Sequence, residues 1–502
     1  MSKRTGFFLN GILLTAVGFA VRAVGLFLGA YISSVIGAEG VGLQSLVATV
    51  YSFAVTFATS GVSLSVTRLV ASAIGEGKDG ADKILRGAFL YAIGFGTAAT
   101  VLLFAFSGVI GRGVLSDIRT VNALRILSLS LIPIALSSVI SGYFVAVRRV
   151  TLNAAVQVLG QIMRIVLTVL LLMRYAVGGV ESAVMALAIG AAVTEWACFI
   201  LALLEFIFDR RIYRTARSRG YYVGEVAKMA LPLAFSAYVR SFLLSVEHSL
   251  IPKRLVERGN TQSEALSSYG YLHGMALPII LFPMTPLSSF SGLLVPEFAE
   301  SEGAGDKKRM EYIAGEAFDK TLMYAVMSAV FIFAFAEELG YVIYHSYDAG
   351  LYISLLAPVV PIMYLDHVTD AMLKGIGEQV FSMWVNIADA LLSVALVWVL
   401  IPIFDISGYA IVIIAMEIFN FSLSFLRLRR RVKFRVNPVK SIVLPLLSAI
   451  VAVALTSGLF DGNGSATGAM LLIMKGIFAI CVFIALRMIY ANKSRQKIEQ
   501  EC

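Results

Sequence analysis

Long apolar runs alternate with short polar loops along the whole chain. Fourteen runs can be marked, at about 7–32, 43–74, 84–107, 121–147, 152–173, 180–208, 226–251, 266–296, 316–336, 350–373, 379–402, 406–427, 441–459 and 467–490. About twenty apolar residues cross a bilayer as a helix, so the pattern predicts an all-α polytopic membrane protein with 14 transmembrane helices. The second and eighth runs are too long for one straight crossing and are expected to protrude or bend. No loop exceeds about thirty residues, which leaves no room for a soluble domain.

The pattern repeats itself. Val21-Arg22 has a counterpart in Val239-Arg240, 218 positions on. Gly61-Val62-Ser63-Leu64 leading to Gly75-Glu76-Gly77 parallels Ser288-Ser289-Phe290-Ser291 leading to Ser301-Glu302-Gly303. Gly142 and Asn153 pair with Gly375 and Asn386 at a common offset of 233. The economical reading is two six-helix lobes, 1–208 and 226–427, joined by a basic linker at 209–225 and followed by two more helices and a tail at 428–502. Such repeated lobes flank a site near the bilayer midplane.

Composition agrees with the pattern. Of 502 residues, 59% are hydrophobic and 15% charged, against about 25% charged in soluble domains. The net charge of +9 would suggest nucleic acid in a soluble chain. Here about 28 of the 41 Lys and Arg fall in the N-terminus, the loops after even-numbered runs and the C-terminal tail. About six, including Arg112, Arg119 and Lys253, fall in the other loops. That asymmetry reads as topology, with both termini cytoplasmic, and gives no reason to expect a nucleic acid. The richest clusters are Arg210-Arg211-Ile212-Tyr213-Arg214 with Arg217 and Arg219, and Arg427 through Lys440. Contact with anionic membrane lipids is a second reading of both.

Met1-Ser2-Lys3-Arg4 resembles the basic start of a signal peptide, but the run behind it is too long and contains Arg22, so a retained helix is expected. Cys198 and Cys481 lie inside runs and Cys502 at the end of the sequence, which does not suggest a disulfide framework. No phosphate-binding glycine loop, metal-ligand spacing or HExxH occurs, and His248, His273, His345 and His367 are scattered. The longest outer loop, Pro252 to Glu264, holds Lys253, Arg254, Glu257, Arg258 and Glu264 without a nucleophile–base arrangement. No cofactor, metal or enzymatic activity is expected, nor is nucleotide-driven transport by this chain alone.

Ionisable side chains inside hydrocarbon are costly and face a bundle interior or a watery cavity. Arg22 lies deep in the first run, between Phe7 and Tyr31. Gly18, Arg22, Gly25 and Gly29 share one face of that helix. Glycines on a face ordinarily let helices pack closely. A guanidinium among them suits instead an open space occupied by an anionic head group, because its planar fork matches phosphate and keeps its charge. Arg22 is therefore expected to line a cavity. Ser236, Arg240 and Glu247 share a face of the seventh run, where the two charges line the cavity or brace each other through an intervening group. Arg68 is a further cavity cation or a side chain snorkelling to the interface. Asn153, Gln157, Gln161 and Arg164 form a stripe that lines a vestibule or bonds to neighbouring helices.

Buried carboxylates gather in the second lobe: Glu247, Asp366, Asp370, Asp389 and Glu417, against Glu195 in the first. Asp366, Asp370 and Lys374 rise along one face of the tenth run, while Asn386 with Asp389 and Glu417 with Asn420 are i, i+3 pairs. Two carboxylates one turn apart in low dielectric resist ionising together, which suits an H⁺ or Na⁺ coupling site. The alternative is a brace with Lys374. Asp366, Asp370, Asp389 and Glu417 are the coupling candidates. Pro278, Pro283, Pro286 and Pro296 in the eighth run and Pro358 and Pro361 in the tenth are expected to bend those helices.

The six-plus-six-plus-two arrangement resembles the multidrug/oligosaccharidyl-lipid/polysaccharide exporter superfamily. Ile36-Gly37-Ala38-Glu39-Gly40-Val41-Gly42-Leu43, Ser138-Val139-Ile140-Ser141-Gly142-Tyr143-Phe144 and Lys374-Gly375-Ile376-Gly377-Glu378 are similar to its polysaccharide-flippase branch. Within the branch the likeness is nearest to the stage V sporulation protein B group, cousins of the lipid II flippases. The resemblance implies a bacterial cytoplasmic-membrane flippase that moves an undecaprenyl-pyrophosphate-linked saccharide by alternating access, with Arg22 meeting the pyrophosphate. It also implies that the last two helices line a groove for the polyprenyl tail, a role that the charge-free run from Ser441 to Leu459 suits. The eighth run holds no Arg or Lys, whereas the lipid II flippases carry a cation there, and that departure bears on lipid II as cargo. An ion-coupled multidrug antiporter is the competing reading, carried by the second-lobe carboxylates. A membrane glycosyltransferase or polymerase is the enzyme reading, and the short loops argue against it.

Overall fold

The computed structural model describes residues 3–75, 81–147, 149–210, 222–460 and 469–501. All regular structure among them is helical. Ten helices are long and apolar enough to cross a membrane, or twelve if each of two bent pairs counts as one crossing. One of the ten, Gly18–Ala73, contains two helices that meet at a kink. The chain packs as two compact units. The first comprises Val35–Gly270 and Val394–Asp405; the second comprises Met1–Ser34, Tyr271–Ser393 and Ile406–Cys502.

Helix α1 (Lys3–Thr59) turns at Gly37, whose φ of 69° favours glycine, and its two halves belong to different units. The first unit continues with α2 (Val62–Gly75), α3 (Ala81–Val109), α4 (Thr120–Ser128) and α5 (Leu131–Ala146). It is completed by α6 (Val150–Tyr175), α7 (Val180–Arg210), α8 (Val223–Glu257) and α9 (Gln262–Tyr269). The over-long second run breaks between α1 and α2 at Ser60 and Gly61, both with positive φ. The fourth run, expected to be one helix, is α4 and α5 bent by 43°. Pro133 lacks the N–H that would bond to the Leu129 carbonyl, and the Trp196 indole donates to that carbonyl instead, at 3.1 Å.

In hydrocarbon, helices gain by close packing rather than by escaping water, and here backbones approach at glycines. A Cβ on Gly42 would stand 2.0 Å from the Leu266 carbonyl oxygen, and one on Gly270 2.2 Å from that of Ala38. The second half of α9 is thus seated on the turn after Gly37. Arg119 secures the same corner, bonding to Asp117 and, at 2.7 Å, to Glu39, which also accepts from Ser263 at 2.6 Å. Bonds to the two carboxylates, Asp117 first, push the Arg119 pKa further up.

The second unit holds the first half of α1, then α10 (Leu277–Leu281), α11 (Thr285–Gly303), α12 (Lys307–Ala334) and α13 (Ala336–Tyr344). It continues with α14 (Tyr347–Leu356), α15 (Val360–Gly375), α16 (Gln379–Phe404, as far as Ser393), α17 (Ile406–Arg431), α18 (Leu444–Phe460) and α19 (Ala469–Glu501). The eighth run is broken as its prolines predict: α10 opens at Pro278, a 3₁₀ turn carries Pro283, and α11 opens at Pro286. A 3₁₀ turn with Pro358 likewise separates α14 from α15. The short α13 was not expected. The core gathers Phe298, Phe318, Met372, Leu428 and Phe434. Above it, Glu378 accepts a forked pair of bonds from Arg427, at 2.8 and 3.0 Å, and another from Arg431 at 2.7 Å. These bonds, Arg427 first, hold the Glu378 carboxyl below the usual carboxylate range.

The repeat read from the sequence has equivalent contacts in both units. A Cβ on Gly142 of α5 would meet the Ser63 carbonyl of α2 at 2.5 Å, and one on Gly375 of α15 the Val295 carbonyl of α11 at 2.9 Å. Gly87 of α3 rests on the Tyr222 backbone before α8, as Gly315 of α12 rests on the Arg435 carbonyl before α18. Helices α18 and α19 are pinned to the second unit at both ends. Ser441 bonds to Asp319, the buried Lys475 pairs with Glu338 at 2.8 Å, and Ala449, Ala452 and Phe483 pack on Met323, Met327 and Val330 between them.

Candidate functional site

Contacts within the second unit fix the rotation of the first half of α1. Phe19 packs on Phe282 with ring centroids 4.8 Å apart, and Ser33 reaches the Met275 sulfur at 3.8 Å. Gly18, Gly25 and Gly29 then face open space, since a methyl group added at any of them meets no atom within 4 Å. This face is not a close helix–helix contact. Arg22 borders it, exposed and without an ion pair among the described residues. Its charge lies within electrostatic reach of Tyr364 and His367 on α15.

Two tyrosines hold α15 in that position. The Tyr364 hydroxyl donates to the Ile280 carbonyl at 2.9 Å and stacks on Tyr324, which donates to the Pro283 carbonyl at 2.6 Å. Backbone carbonyls in a proline-broken stretch need such donors inside a membrane. Phe282, which carries Phe19, lies between those two carbonyls. One turn after Tyr364 comes His367, whose Nε2 is buried without a hydrogen-bond partner. One turn further, Asp370 pairs with Lys374 at 2.6 Å, the brace arrangement. Asp366 is half-buried and engaged elsewhere.

The other coupling candidates form a second group in the same unit. Asn420 donates to Asn386 at 3.5 Å, and Asn386 to the Ser382 carbonyl at 2.7 Å. Asp389 and Glu417 lie one turn from these asparagines, both half-buried and both with partners.

Arg68, Gln161, Arg164, Arg240 and Glu247 belong to the first unit. Arg164 pairs with Glu195 at 2.8 Å and ties α6 to α7, so the stripe bonds to a neighbouring helix at that point. Gln161 is half-buried one turn earlier, Gln157 is exposed, and the Asn153 side chain lies outside the described residues. Arg68 and Arg240 are exposed, with no ion pair among the described residues. Glu247 is buried and has a partner. The linker cluster Arg211 to Arg219 lies outside the described residues.

Sequence reasoning weighed the charged residues of the tenth run and passed over its neutral ones. Tyr364, His367, Asp370 and Lys374 recur at helical spacing on one face, a signal visible once tyrosine and histidine are counted with the charges. Glu378 was visible only as the end of a motif.

A family model described as polysaccharide biosynthesis protein matches residues 8–302, and a second, MatE, matches 259–399. Stage V sporulation protein B of Bacillus subtilis (strain 168) is 28% identical over 430 residues, 82% of each chain. Among solved structures, the lipid II flippase MurJ in an inward closed conformation is similar with a TM-score of 0.73 at 15% identity, covering 96% of this chain and 99% of that one. An inward-facing multidrug resistance MATE family transporter of the MOP superfamily is similar with a TM-score of 0.65 at 16% identity, covering 83% and 98%. At such identities the two structures speak for the fold.

Proposed function

The chain belongs to the polysaccharide biosynthesis protein family, and from that premise we propose that it flips an undecaprenyl-pyrophosphate-linked oligosaccharide or cell-wall precursor across the bacterial cytoplasmic membrane by alternating access. It is a multi-pass membrane transporter and not an enzyme. The observation that carries the cargo is Arg22: a permanent cation, without a carboxylate partner among the described residues, beside an open glycine face. An unneutralised guanidinium in a membrane calls for an anion, and a pyrophosphate offers it two forked contacts. Arg68 and Arg240, exposed cations of the first unit, are further candidates to meet an anionic group. The repeat supports lobes at 1–208 and 226–427, and the basic loops support cytoplasmic termini. The apolar outer faces of α18 and α19, with Leu447, Ile450, Leu455, Ile477 and Ile484 exposed, suit a polyprenyl tail and the surrounding lipid.

The experiment is reconstitution in liposomes with lipid-linked saccharides, scored by an enzyme outside that modifies only flipped cargo. Arg22→Ala is expected to abolish flipping with the melting temperature unchanged, and Arg22→Lys to restore part of it, since lysine keeps the charge and loses the fork. Full activity of the alanine variant refutes the reading. The second reading, an ion-coupled small-molecule antiporter, draws on Asp389 and Glu417 beside the Asn386–Asn420 bond and predicts transport of organic cations driven by H⁺ or Na⁺.

A further inference from the structure

We propose that His367 is a second anion-binding residue, donating from Nε2 to the same phosphate group that Arg22 holds. The inference rests on the pyrophosphate reading of Arg22 and adds a residue that reading does not contain. Four observations converge on it. His367 lies one turn from Tyr364, which bonds to the Ile280 carbonyl, two residues before the Phe282 ring on which Phe19 of α1 packs. Its Nε2 is buried and has no hydrogen-bond partner. Asp370, the acidic group acting on it from its own helix, is already engaged by Lys374 at 2.6 Å. Arg22 is the charge acting on it from another helix; Asp370 and Lys374 act from its own.

A buried polar nitrogen left unpaired is uncommon and costly, and where it persists it points to a role or to a missing partner. The missing partner has a definite chemistry here. With the proton on Nε2, it accepts a hydrogen bond from the neutral imidazole and tolerates or requires a guanidinium close by. A carboxylate of this chain would do, but Asp370 is taken. A cationic or purely apolar ligand gives Nε2 nothing to donate to and leaves Arg22 uncompensated. A phosphate oxygen satisfies both donors, and a pyrophosphate has enough oxygens for Arg22 to grip one edge and His367 another. With the proton on Nε2, the imidazole needs no positive charge for this task. Tyr364, its hydroxyl committed to Ile280, positions the helix and does not contact the anion.

The test uses the full-length chain in nanodiscs and measures binding of geranylgeranyl pyrophosphate, with inorganic pyrophosphate as a second probe. His367→Phe keeps the ring's bulk and removes the donor, whereas His367→Gln places an amide N–H near the position of Nε2. Arg22→Ala and His367→Phe are each expected to weaken binding of both probes about tenfold or more, which is about 1.4 kcal/mol or more. His367→Gln is expected to stay within about threefold of the unsubstituted chain, with melting temperatures alike throughout. Loss for the lipid probe alone would mean that His367 meets the tail, and overturns the proposal. So does unchanged binding by His367→Phe alongside weakened binding by Arg22→Ala, an outcome that leaves the pyrophosphate reading standing. Equal loss in His367→Gln and His367→Phe with lowered melting temperatures marks a packing role and also overturns it. If the unsubstituted chain binds neither probe, the pyrophosphate reading itself fails and takes this inference with it.

Discussion

Substituting glycines one at a time separates the open face of α1 from the glycines that hold the fold together. Gly25 sits in a helix with no atom within 4 Å of where a Cβ would stand. Alanine there removes only the conformational freedom of glycine and should stabilise the protein by about 0.5–1 kcal/mol. Gly42 is the opposite case, because its Cβ would lie 2.0 Å from the Leu266 carbonyl oxygen and 2.9 Å from the carbonyl carbon. Both partners are backbone, so no rotamer change relieves the clash, and the helices must separate. Overpacking costs about 1–3 kcal/mol, and a backbone-on-backbone clash belongs at the upper end. Offsetting the helix gain leaves Gly42→Ala destabilised by about 2 kcal/mol, so the two alanines should differ by about 3 kcal/mol, with opposite signs. Leucine has nearly alanine's helix preference, so Gly25→Leu should remain folded while filling the space beside Arg22. Its flipping in liposomes should then be lost although its denaturation midpoint is not lowered. A Gly25→Ala variant as unstable as Gly42→Ala would refute the open face. A Gly25→Leu variant that transports normally would show that cargo does not use it.

Three further outcomes can be measured. Asp370→Asn should cost under about 0.5 kcal/mol, because its i, i+4 partner Lys374 is 52% exposed, and should leave any pH dependence of transport unchanged; loss of that dependence would restore Asp370 as a coupling residue. Glu378→Gln should destabilise the chain by about 1–3 kcal/mol at neutral pH, since Arg427 loses its main partner. The lowered pKa of Glu378 means that its stabilising contribution is full above the ordinary carboxylate pKa and is lost as pH falls toward the folded value. Melting curves on either side of that range should therefore converge for the two proteins at low pH, and parallel curves would contradict the clamp. Cysteines at Ala81 and Ala304 should label only from the cytoplasmic side and one at Asn260 only from outside; labelling of Ala304 from outside breaks both the topology and the repeat.

The helical class was legible because bilayer length and hydropathy constrain every crossing. Breaks were legible where prolines or an over-long run marked them. Pro283 and Pro286 announced the broken eighth run, whereas the bend before α5 depends on Trp196 from another helix accepting responsibility for the Leu129 carbonyl, a partnership that local sequence does not carry. For the site, Arg22 stood out because charge is rare in hydrocarbon. His367 did not, since its significance lies in what fails to touch it, and only packing reveals that.

The glycine joints at Gly142 and Gly375, and at Gly87 and Gly315, have an evolutionary consequence. They are contacts between backbones, indifferent to the chemistry of the side chains around them. The polar residues around such joints can therefore change without renegotiating the packing. Arg68 and Arg164 stand in 1–208, whereas Arg240, Asp366, Asp370, Asp389 and Glu417 stand in 226–427. Cargo preference in such a chassis is written on positions that the joints leave free. A library that randomises the polar positions and spares those four glycines samples new cargoes on an inherited frame.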